Sequence, residues 1–321
     1  MVAVTASPVP LGMVVINIDP VLHLGPLQVH WYGIMYAVAF YIAWRFAVVP
    51  LATRAGVSRS IADRMTTWTI VFGLLGGRLY YVLQQPDLVS NYLQKPLNII
   101  AFWNGGMAFF GAIIAGFITL AVCAWRYRVN PWIALDGGVL FAVVGQPIGR
   151  IGNIINGDIL GPQSTLPWAT AYANPNAILQ SSQGFQRCFD PSHPGGPFCP
   201  AYVPAAAYEA LAAIGIGLIL LVLYRRRVRA GIMAISYVAL YAISQLIVFQ
   251  YRASEPTVLL GLHQAQWTAI GMLVIAVPAL CVLWWRTSGR VRAESPPTSV
   301  DAGGAAAAED TTASPATSPS R

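Results

Sequence analysis

An arginine, two asparagines and an aspartate close an otherwise apolar stretch, Gly149-Arg150-Ile151-Gly152-Asn153-Ile154-Ile155-Asn156-Gly157-Asp158-Ile159-Leu160-Gly161. On a helix, Arg150, Asn153 and Asn156 step round by about −60° each, so their polar heads share one stripe roughly 120° wide. Gly149 and Gly152 leave that stripe open to a ligand or a neighbouring helix, and Gly157 ends the helix where Asp158 begins the exit. An arginine inside a membrane costs about 2.5–3.5 kcal/mol on insertion scales unless it is paired. Two readings account for it: an anion site with guanidinium and amide donors, or a structural Arg150–Asp158 pair at a helix end. Arg78 raises the same question in a second apolar run, and Asp136 or Glu209 is available to pair with either arginine. His23, His30, His193 and His263 and the four cysteines are scattered, with none at metal-ligand spacing, and there is no phosphate-binding loop or dinucleotide fingerprint. Neither a metal nor an organic cofactor is expected.

The elements that must position these residues are membrane helices. With 56% hydrophobic and 10% charged residues the chain has too little charge for a soluble surface, for which about 25% is usual. Its net charge of +7 does not imply nucleic-acid binding, because the arginines fall at the ends of apolar runs. The expected architecture is an all-α integral membrane protein with seven transmembrane helices, near residues 31–52, 66–84, 106–125, 132–150, 204–224, 231–250 and 265–285. Residues 1–29, broken by four prolines, read as an interfacial lead-in with no cleavable signal peptide. Arginines follow the first, third, fifth and seventh spans, which puts the N-terminus outside, the C-terminus in the cytoplasm and the Arg150 end of span four outside. Residues 85–104 read as an amphipathic outer arm and residues 159–203 as a small extracytoplasmic head or lid, completing a membrane domain over 1–292; residues 293–321 read as a disordered cytoplasmic tail. Cys188 and Cys199 lie in the head, where an oxidising compartment favours a disulfide over two free thiols.

The thirteen-residue stretch also resembles the signature of the prolipoprotein diacylglyceryl transferase family. His30-Trp31-Tyr32-Gly33, Gly76-Gly77-Arg78 with Tyr81-Val82-Leu83, Trp103-Asn104-Gly105-Gly106-Met107, and Pro204 with Tyr208-Glu209 match in the family's order, over roughly residues 20–285. The resemblance implies an enzyme of the bacterial inner membrane that moves the diacylglyceryl group of phosphatidylglycerol to the lipobox cysteine of prelipoprotein signal peptides. A thioether forms and glycerol 1-phosphate leaves. It further implies that Arg150, Tyr32, Asn153 and Asp158 are catalytic, and that Arg150, Asn153, Asn156, His30, Arg78, Glu209 and Arg252 bind the lipid. Arg150 would stabilise the departing phosphate with Asn153 and Asn156 as neutral donors, Tyr32 would donate to phosphate or thiol, and Asp158, where the family has glutamate, would orient Arg150.

The chain departs from the family at several polar positions. Phe110 stands where many members carry a histidine proposed as base, and the pattern Arg-x-x-x-Glu-x-x-Arg aligns with Gln245, Phe249 and Arg252, which removes a buried ion pair. Two alternatives follow: a degenerate paralogue that binds lipid or lipoprotein without transfer, and, more remotely, a seven-span transporter or receptor.

Overall fold

A computed structural model of the chain describes residues 14–25, 27–101, 106–174, 176–181, 184–187, 201–252 and 257–293. Seven long helices hold most of them: α1 (Trp31–Arg54), α2 (Arg59–Leu83), α3 (Phe109–Arg126), α4 (Pro131–Asn156), α5 (Ala205–Arg225), α6 (Ile232–Val248) and α7 (Gln264–Ala293). Their ends follow local chemistry. The Ser58 hydroxyl accepts from the Ile61 N–H at 3.4 Å to open α2, and Asn130 accepts from the Trp132 N–H at 3.0 Å, with Pro131 in the first turn, to open α4. Gly157, at φ 84°, ends α4 in the left-handed conformation that a side chain would resist.

α1, α4, α5, α6 and α7 are long and apolar enough to cross a membrane. Phe117, Leu218, Ile275 and Trp285 face outward from α3, α5 and α7, an exposure that lipid rather than water accommodates. The other two expected spans are weaker by composition. α2 has 25 residues but carries Arg59, Asp63, Arg64 and Arg78, and the apolar run of α3, Phe110–Arg126, is shorter. These two pack with little between their backbones: a Cβ on Gly76 would fall 2.1 Å from that of Ala115, so small residues set the contact. The core lies around α4, where Leu140 and Val143 meet Leu51 of α1, Ile216 and Leu220 of α5 and Met233 of α6.

An all-helical reading leaves out eight short strands: β1 (Val14–Ile16), β2 (Val21–Leu24), β3 (Leu27–His30), β4 (Thr170–Tyr172), β5 (Ile178–Ser181), β6 (Gly184–Arg187), β7 (Thr257–Leu259) and β8 (Leu262–His263). β1 runs parallel to β4, while β2–β3, β5–β6 and β7–β8 are antiparallel hairpins. The lead-in is thereby joined to the segment after α4. Asp19 adds a second tie, accepting from Asn176 Nδ2 at 2.8 Å and from the Val21 N–H at 2.8 Å. That N–H holds its carboxyl below the usual range. Leu160, Tyr172, Ala177 and Tyr202 form a small core of their own beside the end of α4, with Ile16 packed against it. In the expected arm, Leu88–Leu93 forms a π-helical turn and Pro96–Asn98 a short 3₁₀ turn. Cys188 and Cys199, with the expected disulfide, lie outside the described residues, as do His193, residues 102–105 and 294–321.

Candidate active site at the end of α4

α4 is loosened at Pro147, which has no N–H to give, and Arg150 follows within one turn. Its guanidinium reaches across to α5, where Nη2 meets Glu209 Oε2, while Nη1 donates to Asn153 Oδ1 at 3.3 Å. The Glu209 side chain is 4% exposed, and its other oxygen lies 3.6 Å from Arg252 Nη1, just beyond the C-terminal end of α6. One buried carboxylate thus gathers two guanidiniums from different elements. Breaking such a pair from one side leaves an uncompensated buried charge, an effect of about 3–5 kcal/mol.

The stripe expected on α4 is present, but its partners are redistributed. Asp158 does not pair with Arg150. Glu209 takes that role, because Gly157 turns the chain and carries Asp158 away from the guanidinium and back over the amides. There Asn156 Nδ2 donates to Asp158 Oδ2, and the Asp158 backbone N–H donates to the Asn153 carbonyl at 3.0 Å. Asn153 is therefore a bridge, its side-chain oxygen towards Arg150 and its backbone carbonyl towards Asp158. Burial pushes the Asp158 carboxyl above its ordinary value, an effect that the two amides partly offset. The hydroxyl of Tyr172, on β4, is engaged by the Ile154 carbonyl at 2.7 Å, and burial raises its pKa.

A small cavity of about 10 Å³, room for one water, opens beside the Arg150–Glu209 pair. Gln146, Tyr241, Ser244 and Gln245 complete its wall. Gln146 Oε1 is buried there without a hydrogen-bond partner among the described residues.

α1 lies against the same stretch of α4. A Cβ on Gly152 would come within 2.8 Å of the Tyr32 Cα, so this glycine sets the approach of the two helices. Tyr32 is half-exposed, and its ring is flanked by His30 at 5.7 Å and Tyr36 at 6.4 Å. His30 precedes α1 and is exposed. The two share the mouth of α4 without a hydrogen bond to Arg150.

Arg78 is buried elsewhere. Its Nε donates to the Ile99 carbonyl at 2.9 Å, Nη1 to that of Gly106 at 2.9 Å and Nη2 to that of Asn98 at 2.6 Å. It binds the arm to α2. Asp136, the other suggested partner, accepts instead from the Gly231 and Ala234 N–H groups, both at 2.8 Å, and so caps the start of α6 from within α4.

The family model "prolipoprotein diacylglyceryl transferase" matches residues 20–284. The chain belongs to the prolipoprotein diacylglyceryl transferase family. Among relatives named phosphatidylglycerol–prolipoprotein diacylglyceryl transferase, that of Rhizobium meliloti is 31% identical over 84% of this chain and 91% of its own length. That of Sinorhizobium medicae is 32% identical over 84% and 91%. The relative from Frankia alni is 30% identical over 82% of this chain, which spans 65% of that longer protein.

Within the family frame, the substituted positions take on a different meaning. Phe249 is 4% exposed, with the Arg252 guanidinium over its ring at 4.6 Å, and Glu209 Oε1 lies 3.6 Å from Arg252 Nη1. Phe110 is 69% exposed at the start of α3. Two further contacts escaped the sequence reading: Tyr208 Oη accepts from Trp168 Nε1 at 2.7 Å, and Gln146 stands one turn before Arg150. The i, i+4 spacing of Gln146 and Arg150 was the available signal for the second.

Proposed function

We propose that this protein transfers the diacylglyceryl group of phosphatidylglycerol to the lipobox cysteine thiol of prelipoproteins, releasing glycerol 1-phosphate. The observation that carries the reading is Arg150, held at the end of α4 between Glu209 and Asn153 with Arg252 on the same carboxylate. A guanidinium paired to a carboxylate presents a fork that a phosphate can take over with the same geometry. The sulfur attacks the glycerol carbon, the carbon–oxygen bond to phosphate breaks, and charge builds on the leaving oxygen. Arg150 and the Asn153 amide suit its stabilisation in a site of low dielectric. Asn156, Tyr32, His30 and Arg252 line the approach for the headgroup. Arg78 contributes by fixing the arm, against which the glycerol end of the lipid would lie.

The topology belongs to the same reading. α2 and α3 cross the bilayer as a close pair beside the five more apolar helices, giving seven spans. The arginine distribution orients the N-terminus and the Arg150 mouth outward and the C-terminus to the cytoplasm. Residues 159–203 then stand as a head at the side where an exported signal peptide arrives. The Arg150–Glu209–Arg252 cluster favours an active enzyme over a degenerate paralogue, since the charged groups at the mouth of α4 are brought together despite Phe249 and Gln245.

The test is transfer from phosphatidylglycerol vesicles to a lipobox peptide, together with complementation of a strain depleted of its own transferase. Thioether product and growth with lipidated lipoproteins are expected. Failure of both by folded, membrane-inserted protein would overturn the reading.

A further inference from the structure

The proposed transfer requires a group that takes the proton from the cysteine thiol. A thiol has a pKa of about 8.5, and thiolate is the attacking form. Several groups can be set aside by their surroundings. Glu209 is occupied by two guanidiniums. Asp136 accepts two backbone N–H bonds at the opposite end of α4. His23 lies exposed on β2, and His263 sits on β8 against Phe249 at 6.1 Å. His30 is at the mouth, but its recorded contact is with the Tyr32 ring, and it has no hydrogen bond to orient it among the described residues.

Asp158 differs from all of these. It is partly buried immediately after Gly157, and among the described residues no cation pairs with it. Its carboxylate is held by the neutral Asn156 amide, and its backbone N–H by the carbonyl of Asn153, whose side chain is on Arg150. The facing element, β4, presents Tyr172, whose hydroxyl is occupied by the Ile154 carbonyl. We infer that Asp158 is the proton acceptor for the lipobox thiol, with Asn153 setting its spacing from the phosphate-binding Arg150. The side chain and the backbone of one residue, Asn153, thus position the two ends of the displacement, sulfur at Asp158 and leaving oxygen at Arg150.

The balance is complete without another reactant. The thiol proton passes to the Asp158 carboxylate, the sulfur–carbon bond forms, and the carbon–oxygen bond breaks. Asp158 then returns the proton to the departing phosphate monoester, whose second ionisation lies near pKa 6. Burial without a cation also makes this carboxylate a stronger base than an exposed one, which narrows the gap to the thiol.

This inference rests on the proposed transfer, and the experiment separates the two. Purified full-length wild-type and Asp158→Asn proteins are compared in phosphatidylglycerol vesicles with two acceptor peptides, identical except for cysteine or selenocysteine at the lipobox position. A selenol is ionised at neutral pH and needs no base. Asp158→Asn is expected to lose about 10²-fold or more on the cysteine peptide, the scale of general-base catalysis, but only about tenfold or less on the selenocysteine peptide. Asp158→Glu should restore much of the cysteine activity. Equal loss on both peptides would assign Asp158 a purely structural role, and near-normal cysteine transfer by Asp158→Asn would also overturn the inference. So would a selenocysteine-rescued defect in His30→Gln with none in Asp158→Asn. If wild-type protein modifies neither peptide, the transfer reading itself fails and takes this inference with it. A retained melting transition in Asp158→Asn is expected, since removing a buried charge held only by amides relieves a desolvation penalty.

Discussion

Two arginines stand inside the helical body, and their partners differ in kind. Arg78 donates to the carbonyls of Asn98, Ile99 and Gly106, which belong to the backbone and cannot leave without unfolding the arm. Arg150 meets the side chains of Glu209 and Asn153, which can swing away or share the guanidinium with an incoming anion. The same residue type in the same apolar setting is a fastener in one place and a receptor in the other. What decides is whether the acceptor is fixed by the fold or exchangeable by a ligand.

The sharpest way to break this contrast is to remove the exchangeable partner. Glu209→Gln leaves two guanidiniums without their shared carboxylate and should lower stability by about 3–5 kcal/mol. Melting in detergent checks it, and added phosphatidylglycerol should raise the melting point of this variant more than that of wild type. Next in size is Arg150→Ala, expected to slow transfer by about 10²–10³, or 2.7–4 kcal/mol, in the vesicle assay. Arg150→Lys should also be clearly impaired, because an ammonium lacks the planar fork; wild-type rates in the lysine variant would reduce Arg150 to a counter-charge.

Arg78→Lys tests the other side. One ammonium cannot reproduce three fixed donations, each from a charged donor and worth about 1.5–3 kcal/mol, so the arm should become cleavable by protease within residues 85–101. Phosphatidylglycerol should not protect it; protection would mean that Arg78 too is exchangeable. The smallest effect belongs to Asp19, whose lowered pKa contributes stability above the unfolded value of about 3.9 and loses it as pH falls through the folded value. Asp19→Asn should flatten the acid limb of the melting curve slightly.

The sequence made the stripe on α4 legible because everything in it is local: Arg150, Asn153, Asn156 and the stop at Gly157 follow from helical spacing and one glycine. It offered Glu209 only as one of several carboxylates open to Arg150, beside Asp136 and nearby Asp158, since the choice among them depends on a contact that joins two helices. The strands escaped because three or four residues carry too little alternation to be told from loop. Seven helices could be delimited from apolar runs, but charge dilutes α2 and α3 is short, so composition alone separates them from the other five.

Asp136 has a consequence in time. Its two acceptors are filled by the N–H groups of Gly231 and Ala234, the first of which is made 95 residues later. The chain is synthesised from its N-terminus, so α4 leaves the ribosome with a carboxylate whose partners do not yet exist. Until α6 arrives, that end of α4 must stay where water can reach it. Its final depth is therefore set late, and the mouth around Arg150 at the other end of α4, whose Glu209 also meets Arg252 from just beyond α6, cannot be finished before the sixth helix is.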